Sequence, residues 1–440
     1  MKSVENMQRG YGSYKELEMK IYKNAQEKNY TQDPRVAQTV SEIIANVRSG
    51  GDNVVAELNA KFGGKADTNF LVPKEFAKKC YDNLEEDLKF AITKAAENIQ
   101  KFAKLQRDSL WPLGETEVVD GVFLGHSVIP VNSCSCYVPG GNHPLFSTAL
   151  MLVIPAKVAG VKRIIATVPP VAGTSFPHET TLAALWLAGC DEIYAIGGAQ
   201  AVAAVAYGTE TIKPVDMIVG PGNKYVTEAK KQVFGKVGID FLAGPSEVLV
   251  IADESGEAEI IAADLLAQSE HDLDASGILL TTSEKLAKDV EEAVQKALKE
   301  LPTRDIASVS WQNNGKIFIT DSLEEACEMS NEIAPEHLEI QVKNSELEYD
   351  LMSRLTNYGS LFVGIGSAEV FGDYVAGTNH TLPTMGVARY TGGLSVMNFL
   401  KVCTFQHITR DGSKALAPLA QKMAEAEGLS AHALAAFKRR

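Results

Sequence analysis

The chain has 440 residues, of which 45% are hydrophobic and 22% charged, and its 42 basic and 56 acidic residues give a formal net charge of −14. This length exceeds one compact core, so the sequence predicts two or more domains. The acidic balance argues against a general surface for nucleic acids or anionic membranes, and the lack of a long apolar run or of a leader-like N-terminus predicts a cytoplasmic protein.

The first 106 residues have the apolar periodicity of helices. Apolar side chains recur every three or four positions over residues 14–28, 36–62 and 74–105. Residues 117–131 then alternate in the manner of β-strands. We expect the helical part to pack against other segments rather than to carry chemistry.

Two blocks of alternating strands and helices follow. In the first, strands are predicted at residues 163–168, 192–196 and 216–219, with helices at 180–187 and 226–233. In the second, strands are predicted at residues 247–251, 277–280, 317–319, 337–342 and 361–363, with a helix at 283–301. This order predicts parallel β-α units with ligands at the carboxyl ends of the strands and a cleft between the blocks. A strand at 402–408 and a helical segment predict a small C-terminal appendage.

Three glycine-bearing loops fall at or near predicted strand ends: Gly140-Gly141, residues 197–200 and residues 220–223. Such loops suit a nucleotide, because backbone N–H groups at helix N-termini bind phosphates. The GxGxxG fingerprint is absent, however, and on spacing alone the glycines fit ordinary helix caps equally well.

The stretch from Asp373 to Pro383 combines a carboxylate and an imidazole. Asp373 and His380 are seven residues apart around Gly377, and Pro383 favours a loop over a helix. Such a loop can direct both side chains to one point. Taken alone, the two residues fit a hydrogen-bonded loop pair better than a metal site, and two further stretches with the same residue types change that interpretation.

Those two stretches each carry an imidazole beside an oxygen donor. Gln268 and His271 lie three residues apart near the end of a predicted helix, which places both side chains on one face. Glu336 and His337 are neighbours just after Pro335, where a loop keeps both on the same side. A carboxylate beside an imidazole predicts an acid and a base.

The six cysteines are scattered, which fits free thiols in a reducing cytoplasm. Cys134 and Cys136 precede the first glycine loop and can be interpreted as catalytic nucleophiles. The favoured interpretation is that both cysteines are small structural residues on a strand. Four histidines lie outside these motifs and are predicted to be surface or strand residues: His126, His143, His178 and His407. For His143, which adjoins the first glycine loop, a contact to a nucleotide is left open.

Five separated motifs together resemble the histidinol dehydrogenase family, which catalyses the last step of histidine biosynthesis. They occur in order and span nearly the whole chain: Gly244-Pro-Ser-Glu-Val248, Gln268-Ser-Glu-His271, Pro335-Glu-His-Leu338, Asp373 to Pro383 and Glu427 to His432. The resemblance implies a zinc-dependent, NAD-linked, four-electron oxidation of L-histidinol to L-histidine through L-histidinaldehyde.

The resemblance also implies an α/β fold with two incomplete Rossmann-like, aldehyde-dehydrogenase-like domains and small N-terminal helical and C-terminal segments. The implied division is a dimerisation segment at residues 1–30, a first α/β domain at 31–136 and 246–392, an NAD-contacting domain at 137–245 and a C-terminal segment at 393–440. In this family the C-terminal segment reaches into the partner's site of a homodimer.

Site residues are implied position by position. One Zn²⁺ per subunit would be bound by Gln268, His271, Asp373 and His432. Substrate contacts would come from these four residues and from Ser246, Glu336, His337, His380 and Glu427. Contacts to NAD⁺ would come from Tyr137, Gln200 and Asn223. Glu427 and His432 would act across the dimer interface.

The implied reaction needs a base in both oxidations. An imidazole has a pKa near neutrality, and general acid–base catalysis contributes about 10²- to 10⁴-fold. His337 is therefore the predicted base, and Glu336 the predicted activator of the water that hydrates the aldehyde. The metal is expected to orient the substrate. The alternative is an NAD-dependent dehydrogenase of another small polar alcohol on the same scaffold.

Overall fold

The computed structural model describes residues 20–25, 34–140 and 144–440. Its strands in chain order are β1 (Lys20–Lys23), β2 (Leu113–Val119), β3 (Val122–Pro130), β4 (Ser133–Tyr137), β5 (Arg163–Thr167), β6 (Glu192–Tyr194), β7 (Met217–Val219), β8 (Gly238–Ile239), β9 (Glu247–Ala252), β10 (Ser276–Thr281), β11 (Lys316–Ile319), β12 (His337–Gln341), β13 (Ser360–Val363) and β14 (Leu400–Ile408).

Helices alternate with these strands through most of the chain. In chain order they are α1 (Pro34–Lys61), α2 (Lys74–Asp82), α3 (Glu86–Asp108), α4 (Phe146–Ala159), α5 (Glu179–Ala188), α6 (Gly198–Tyr207), α7 (Lys224–Val233), α8 (Ala258–Ser269), α9 (Glu284–Glu300), α10 (Arg304–Asn314), α11 (Leu323–Ile333), α12 (Ser345–Arg354), α13 (Glu369–Tyr374), α14 (Arg410–Ala426) and α15 (Ser430–Phe437).

Two largely parallel sheets form the body of the molecule. The β9 sheet has the order β1-β11-β10-β9-β12-β13 and is parallel except at β1. The β4 sheet has the order β6-β5-β4-β7-β8 and is parallel throughout. Parallel strands are covered on both faces, and every residue of β9 is accordingly buried. The predicted α/β fold with parallel β-α units is confirmed.

The helices of residues 34–108 lie on the β4 sheet. α1 packs against α6 and α7, α2 against α5, and α3 against α4. The sequence interpretation grouped residues 31–136 with the other α/β block and drew a boundary at 136/137, which falls inside β4. The structure joins these helices to the β4 sheet because their apolar faces share its hydrophobic core.

A third sheet, β14-β3-β2, ties the C-terminal segment to the body. β14 pairs with β3 along its whole length, from Leu400 opposite Pro130 to Ile408 opposite Val122. The predicted strand at 402–408 is therefore confirmed, but the segment is part of a sheet rather than a separate appendage. α14 and α15 follow β14, pack on each other and form an arm that we call the C-terminal arm.

The N-terminal prediction is partly wrong. The helix predicted at residues 14–28 is a strand over Lys20–Lys23, which pairs antiparallel with β11. Apart from residues 24 and 25, the remainder of that helix lies outside the described residues, as does most of the dimerisation segment at 1–30. Over the described ranges, no helix combines the length and apolar character that a membrane crossing requires.

Candidate functional site

The candidate catalytic cluster lies where β12 begins. Gln268 lies in the last turn of α8, Glu336 and His337 at the start of β12, and Asp373 in α13. The predicted loop at Asp373 is therefore wrong at its first residues, which are helical. Side chains of successive strand residues point to opposite faces, but Glu336 precedes the strand, so its side chain can lie on the same side as that of His337.

His337 is the centre of the cluster. Its Nε2 lies 3.4 Å from Asp373 Oδ1, and its Nδ1 lies 3.2 Å from Gln268 Nε2 and 3.7 Å from Glu336 Oε2. Glu336 Oε2 also accepts the backbone N–H of Glu247 at 2.8 Å. Gln268, Glu336 and His337 are at most 5% exposed. Residues far apart in the chain therefore meet in one buried polar site.

Burial and mutual charge shift the pKa values in this cluster. Burial raises the pKa of Glu336 to about 8. Burial alone would lower the pKa of His337, but the carboxylates of Glu336, Asp373 and Glu369 outweigh it and raise that pKa well above its usual range. Burial acts to raise the pKa of Asp373, and the contact with His337 outweighs it and lowers that pKa. The free chain therefore favours a protonated imidazole facing an ionised Asp373.

His380 lies on the other side of Asp373. Its Nδ1 is 3.0 Å from the backbone carbonyl of Asp373, and its Nε2 is 3.0 Å from Thr148 Oγ1. A carbonyl only accepts, so we assign the proton to Nδ1, and Nε2 then accepts from the Thr148 hydroxyl. Burial lowers the pKa of His380, which agrees with a neutral ring. Ser246 lies next to Glu247, the residue that binds Glu336 through its N–H.

A layer of buried carboxylates behind the cluster was missed by the sequence interpretation. Each lies one helical turn or one strand pleat from a cluster residue: Asp264 on α8, Glu339 on β12 and Glu369 on α13. Glu369 Oε2 is 3.9 Å from His337 Nδ1. Burial raises the pKa of Glu339 to about 8 and that of Glu369 well above its usual range. The available signal was the polar alternation His337-Leu-Glu-Ile-Gln341 in a strand that should be apolar on both faces.

Three predicted site residues lie on the surface of the single chain. His271 is exposed two residues beyond the end of α8, whereas Gln268 is buried in its last turn. Glu427 and His432 are exposed on the C-terminal arm. In the part of the chain that the structure describes, no group of three or more His, Cys, Asp or Glu is arranged to hold a metal ion.

The buried donor atoms of the cluster fit a divalent cation. Gln268 Oε1 and Asp373 Oδ1 are buried polar atoms without a hydrogen-bond partner. Buried polar atoms in folded proteins almost always have one. An amide oxygen and a carboxylate oxygen beside imidazoles form a donor set that Zn²⁺ accepts. Two of the four predicted ligands, Gln268 and Asp373, thus present unsatisfied oxygen atoms within one chain.

The predicted NAD⁺ contacts lie on three loops at the carboxyl ends of the β4 sheet. Tyr137 ends β4, Gln200 lies in the first turn of α6, and Asn223 caps the N-terminus of α7. The Tyr137 hydroxyl accepts the backbone N–H of Gly198 at 3.0 Å. Burial raises the pKa of Tyr137 to about 12, which keeps the phenol neutral. Of the Gly140-Gly141 loop, Gly141 lies outside the described residues, as does the neighbouring His143.

The loop that carries Asn223 is fixed by a buried ion pair. The Gly220 N–H donates to Asp240 Oδ2 at 2.7 Å, and its carbonyl accepts Lys230 Nζ at 2.8 Å. Lys230 and Asp240 form an ion pair with each other. Gly220 has φ +115°, and a Cβ there would lie 2.3 Å from the Tyr137 carbonyl oxygen. Glycine is therefore required by a close backbone approach as well as by the turn.

The remaining candidates take structural positions. Cys134 and Cys136 are buried on β4, and burial raises the pKa of Cys136 well above its usual range, so a reactive thiolate is disfavoured. His178 accepts the Thr180 N–H at the start of α5. Two further histidines lie on the outer sheet as predicted, one near the Trp111 carbonyl and one beside Glu115: His126 and His407.

Residues 26–440 match the family model described as histidinol dehydrogenase. The chain is 47% identical over 401 residues to the histidinol dehydrogenase of Methanothermobacter thermautotrophicus, a match that covers 91% of the chain and 92% of that protein. It is 46% identical over 399 residues to the histidinol dehydrogenase of Geobacillus kaustophilus, with 90% and 92% covered. A protein of Shouchella clausii named histidinol dehydrogenase homolog is 44% identical over 398 residues, with 90% and 92% covered.

A solved structure has the same fold. The chain superposes on the crystal structure of histidinol dehydrogenase from Elizabethkingia anophelis with a TM-score of 0.87 and 38% identity. The match covers 94% of each chain.

Proposed function

The chain belongs to the histidinol dehydrogenase family, and from this premise we propose that it oxidises L-histidinol to L-histidine through L-histidinaldehyde, with NAD⁺ accepting the hydride each time. The observation that carries the proposal is the buried cluster of Gln268, Glu336, His337 and Asp373. Three separate family motifs contribute these residues, and His337 lies within 4 Å of each of the other three side chains.

The cluster supports a proton-transfer role for His337. In each oxidation a hydride passes to NAD⁺ and a hydroxyl proton must go to a base. His337 Nε2 has no hydrogen-bond partner and faces Asp373, so it is the ring atom available to a substrate hydroxyl. Glu336 lies on the Nδ1 side, and its pKa of about 8 suits proton exchange with the water that hydrates the aldehyde.

Gln268, His271, Asp373 and His432 of the partner subunit would hold one Zn²⁺ ion per site. When bound, the ion supplies positive charge that orients the amine and imidazole of the substrate and favours the unprotonated form of the nearby His337. Asp373 connects the two parts of the site, because its Oδ1 faces His337 and its backbone carbonyl accepts the His380 N–H. Ser246, His380 and Glu427 would bind the polar ends of the substrate.

For NAD⁺, we propose contacts from Tyr137, Gln200 and Asn223. Tyr137 lies at the end of β4, Gln200 at the N-terminus of α6 and Asn223 at the N-terminus of α7. Backbone N–H groups at helix N-termini bind phosphate without a basic patch, which agrees with the acidic net charge of −14.

The exposed apolar residues support a homodimer in which the C-terminal arm completes the partner's site. On the arm, Leu419 and Met423 are 64% and 68% exposed. Beside Asp373, the α13 side chains of Phe371 and Tyr374 are also exposed. Two such apolar surfaces on one chain require cover. An arm laid on α13 of a second copy would cover both and would carry Glu427 and His432 to the cluster.

Assay of NADH formation with L-histidinol tests the proposal. We expect two NADH per histidinol consumed and L-histidine as the product. Release of free aldehyde with one NADH would contradict the four-electron reaction. Turnover of another polar alcohol but not of histidinol would establish the alternative, a dehydrogenase of a different small alcohol on the same scaffold. The resemblance to a relative that is named only as a homolog is the reason to include such alcohols in the assay.

A further inference from the structure

Helix α4 carries a proline in its interior. Pro155 has no backbone N–H, so the carbonyl of Met151, four residues earlier, lacks its helical hydrogen-bond donor. The proline ring also crowds that carbonyl and turns it away from the helix axis. Met151 is fully buried, so water does not take the donor's place. The helix therefore presents an unsatisfied acceptor on its side, which is costly unless another group binds it.

Asn379 supplies the missing donor. Its Nδ2 donates to the Met151 carbonyl at 2.7 Å. Its Oδ1 accepts the backbone N–H of Thr381 at 2.8 Å, which fixes the orientation of the amide. One side chain thus closes a turn in its own loop and binds the free carbonyl of a helix that covers the β4 sheet.

A second contact lies one helical turn away. Thr148 is three residues before Met151, on the same face of α4, and its Oγ1 bonds to His380 Nε2. His380 Nδ1 bonds to the backbone carbonyl of Asp373. Hydrogen bonds therefore run from Thr148 on α4 through His380 to Asp373, the residue that faces His337, and Asn379 binds the same helix next to His380.

We propose that Asn379 and Thr148 are positioning residues that latch residues 379–380 to α4, Asn379 through the carbonyl that Pro155 leaves free and Thr148 through its hydroxyl. The latch fixes His380 and Asp373 relative to the sheet that carries the proposed NAD⁺ contacts. The proline in α4 thus frees a carbonyl that joins the β4 sheet, with its proposed NAD⁺ contacts, to the loop that carries the proposed substrate residue His380. The kinetic consequence rests on the proposed function, whereas the structural consequence does not.

The variant Asn379→Asp tests the latch most directly. Aspartate keeps the size and the acceptor for Thr381 but cannot donate to Met151. We expect kcat/KM for L-histidinol to fall about tenfold with the KM for NAD⁺ unchanged, as loss of one buried hydrogen bond implies. Amide hydrogen exchange of residues 376–384 should accelerate by a similar factor. Unchanged exchange in a folded Asn379→Asp enzyme would overturn the proposal.

Two further variants keep the test decisive. In Pro155→Ala the helix regains an N–H for the Met151 carbonyl, so adding Asn379→Asp to this variant should lower the unfolding temperature less than Asn379→Asp does in the wild-type chain. An equal loss in both backgrounds would contradict the role of the carbonyl that Pro155 leaves free. Thr148→Val should raise the KM for histidinol, and Thr148→Ser, which retains the hydroxyl, should restore it. Equal effects of valine and serine would show that the hydroxyl has no positioning role.

A matched control, Asn98 on α3, contacts the residue just before this loop. Asn98 Nδ2 donates to the backbone carbonyl of Val375 at 2.9 Å, but this contact is open to solvent. Because water can replace it, Asn98→Asp should stay within about twofold of wild type in kcat/KM and loop exchange. If Asn98→Asp and Asn379→Asp had equal effects, the bond to the α4 carbonyl would have no particular importance and the proposal would be wrong. If the wild-type enzyme does not oxidise histidinol, the proposed function fails, and hydrogen exchange still decides the latch.

Discussion

The cluster around His337 and the C-terminal arm carry the two halves of one predicted site, but the residues of the cluster are largely buried and those of the arm are exposed. In the cluster, Gln268 and the half-buried Asp373 each have a buried oxygen atom without a hydrogen-bond partner. On the arm, Glu427 and His432 are exposed beside apolar side chains that lack cover. Both features are costly: in the proposed homodimer the arm of a second copy would cover the apolar surface, and the proposed metal ion would bind the unsatisfied oxygen atoms. The difference agrees with the proposal that one half of the site forms within a chain and the partner subunit supplies the other half.

The largest expected effect comes from the centre of the cluster. His337→Asn removes the proposed base while keeping a polar side chain, and kcat should fall by about 10²- to 10⁴-fold with histidinol and with histidinaldehyde. His407→Asn, on the exposed outer sheet, should stay near wild type. A fall of less than about tenfold at His337 would place the base elsewhere.

Asp373→Asn tests whether the unsatisfied carboxylate binds the metal. The amide retains the shape of the side chain but loses the charge, so zinc affinity should fall by at least about 100-fold. Metal content after dialysis, measured by atomic spectroscopy, should drop well below one zinc per chain, and added Zn²⁺ should restore part of the activity. Full zinc content in a folded variant would exclude Asp373 as a ligand.

Glu336→Gln separates the two oxidations. Without the carboxyl group, hydration of the aldehyde should slow, so the formation of histidine should fall by about 10²-fold and histidinaldehyde should accumulate or be released. Product analysis by chromatography distinguishes this from a general loss. Equal loss in the alcohol oxidation and the aldehyde oxidation would contradict a specific role for Glu336 in hydration.

The smallest effect on turnover is expected from the thiols of the β4 sheet. The double change of Cys134 and Cys136 to serine should leave kcat within about twofold of wild type, because the chemistry lies in the His337 cluster. The unfolding temperature should fall by a few degrees, since two buried hydroxyls replace thiols. A loss of roughly a thousandfold in kcat would establish a thiol nucleophile instead.

Much of this architecture could be read from the sequence, because buried parallel strands are apolar runs with turn residues between them. The strands at β5, β9 and β10 lie within a residue or two of their predicted positions. The strand at Lys20–Lys23 was missed because its conformation depends on edge pairing with β11, a tertiary contact. Asp373 was assigned to a loop because Gly377 and Pro383 follow it, although α13 continues to Tyr374.

The site was predicted from side chains that perform chemistry, and its supporting groups were not. Asp264, Glu339 and Glu369 became visible only when helix and strand faces were brought together. The link between Pro155 and Asn379 could not be predicted, because a free helical carbonyl has no sequence signal apart from the proline itself. Contacts of this kind depend on how the helices and strands pack, which the order of residues alone does not show.

Mixing two inactive variants tests the account most directly. His337→Asn removes the buried half of the site and His432→Asn the half on the arm. If each arm completes the partner's site, reassorted heterodimers contain one intact site, and an equal mixture should recover about a quarter of wild-type activity. If heterodimers form, as native mass spectrometry can verify, and activity stays at the level of the separate variants, the two halves do not meet across a subunit interface and the account is wrong.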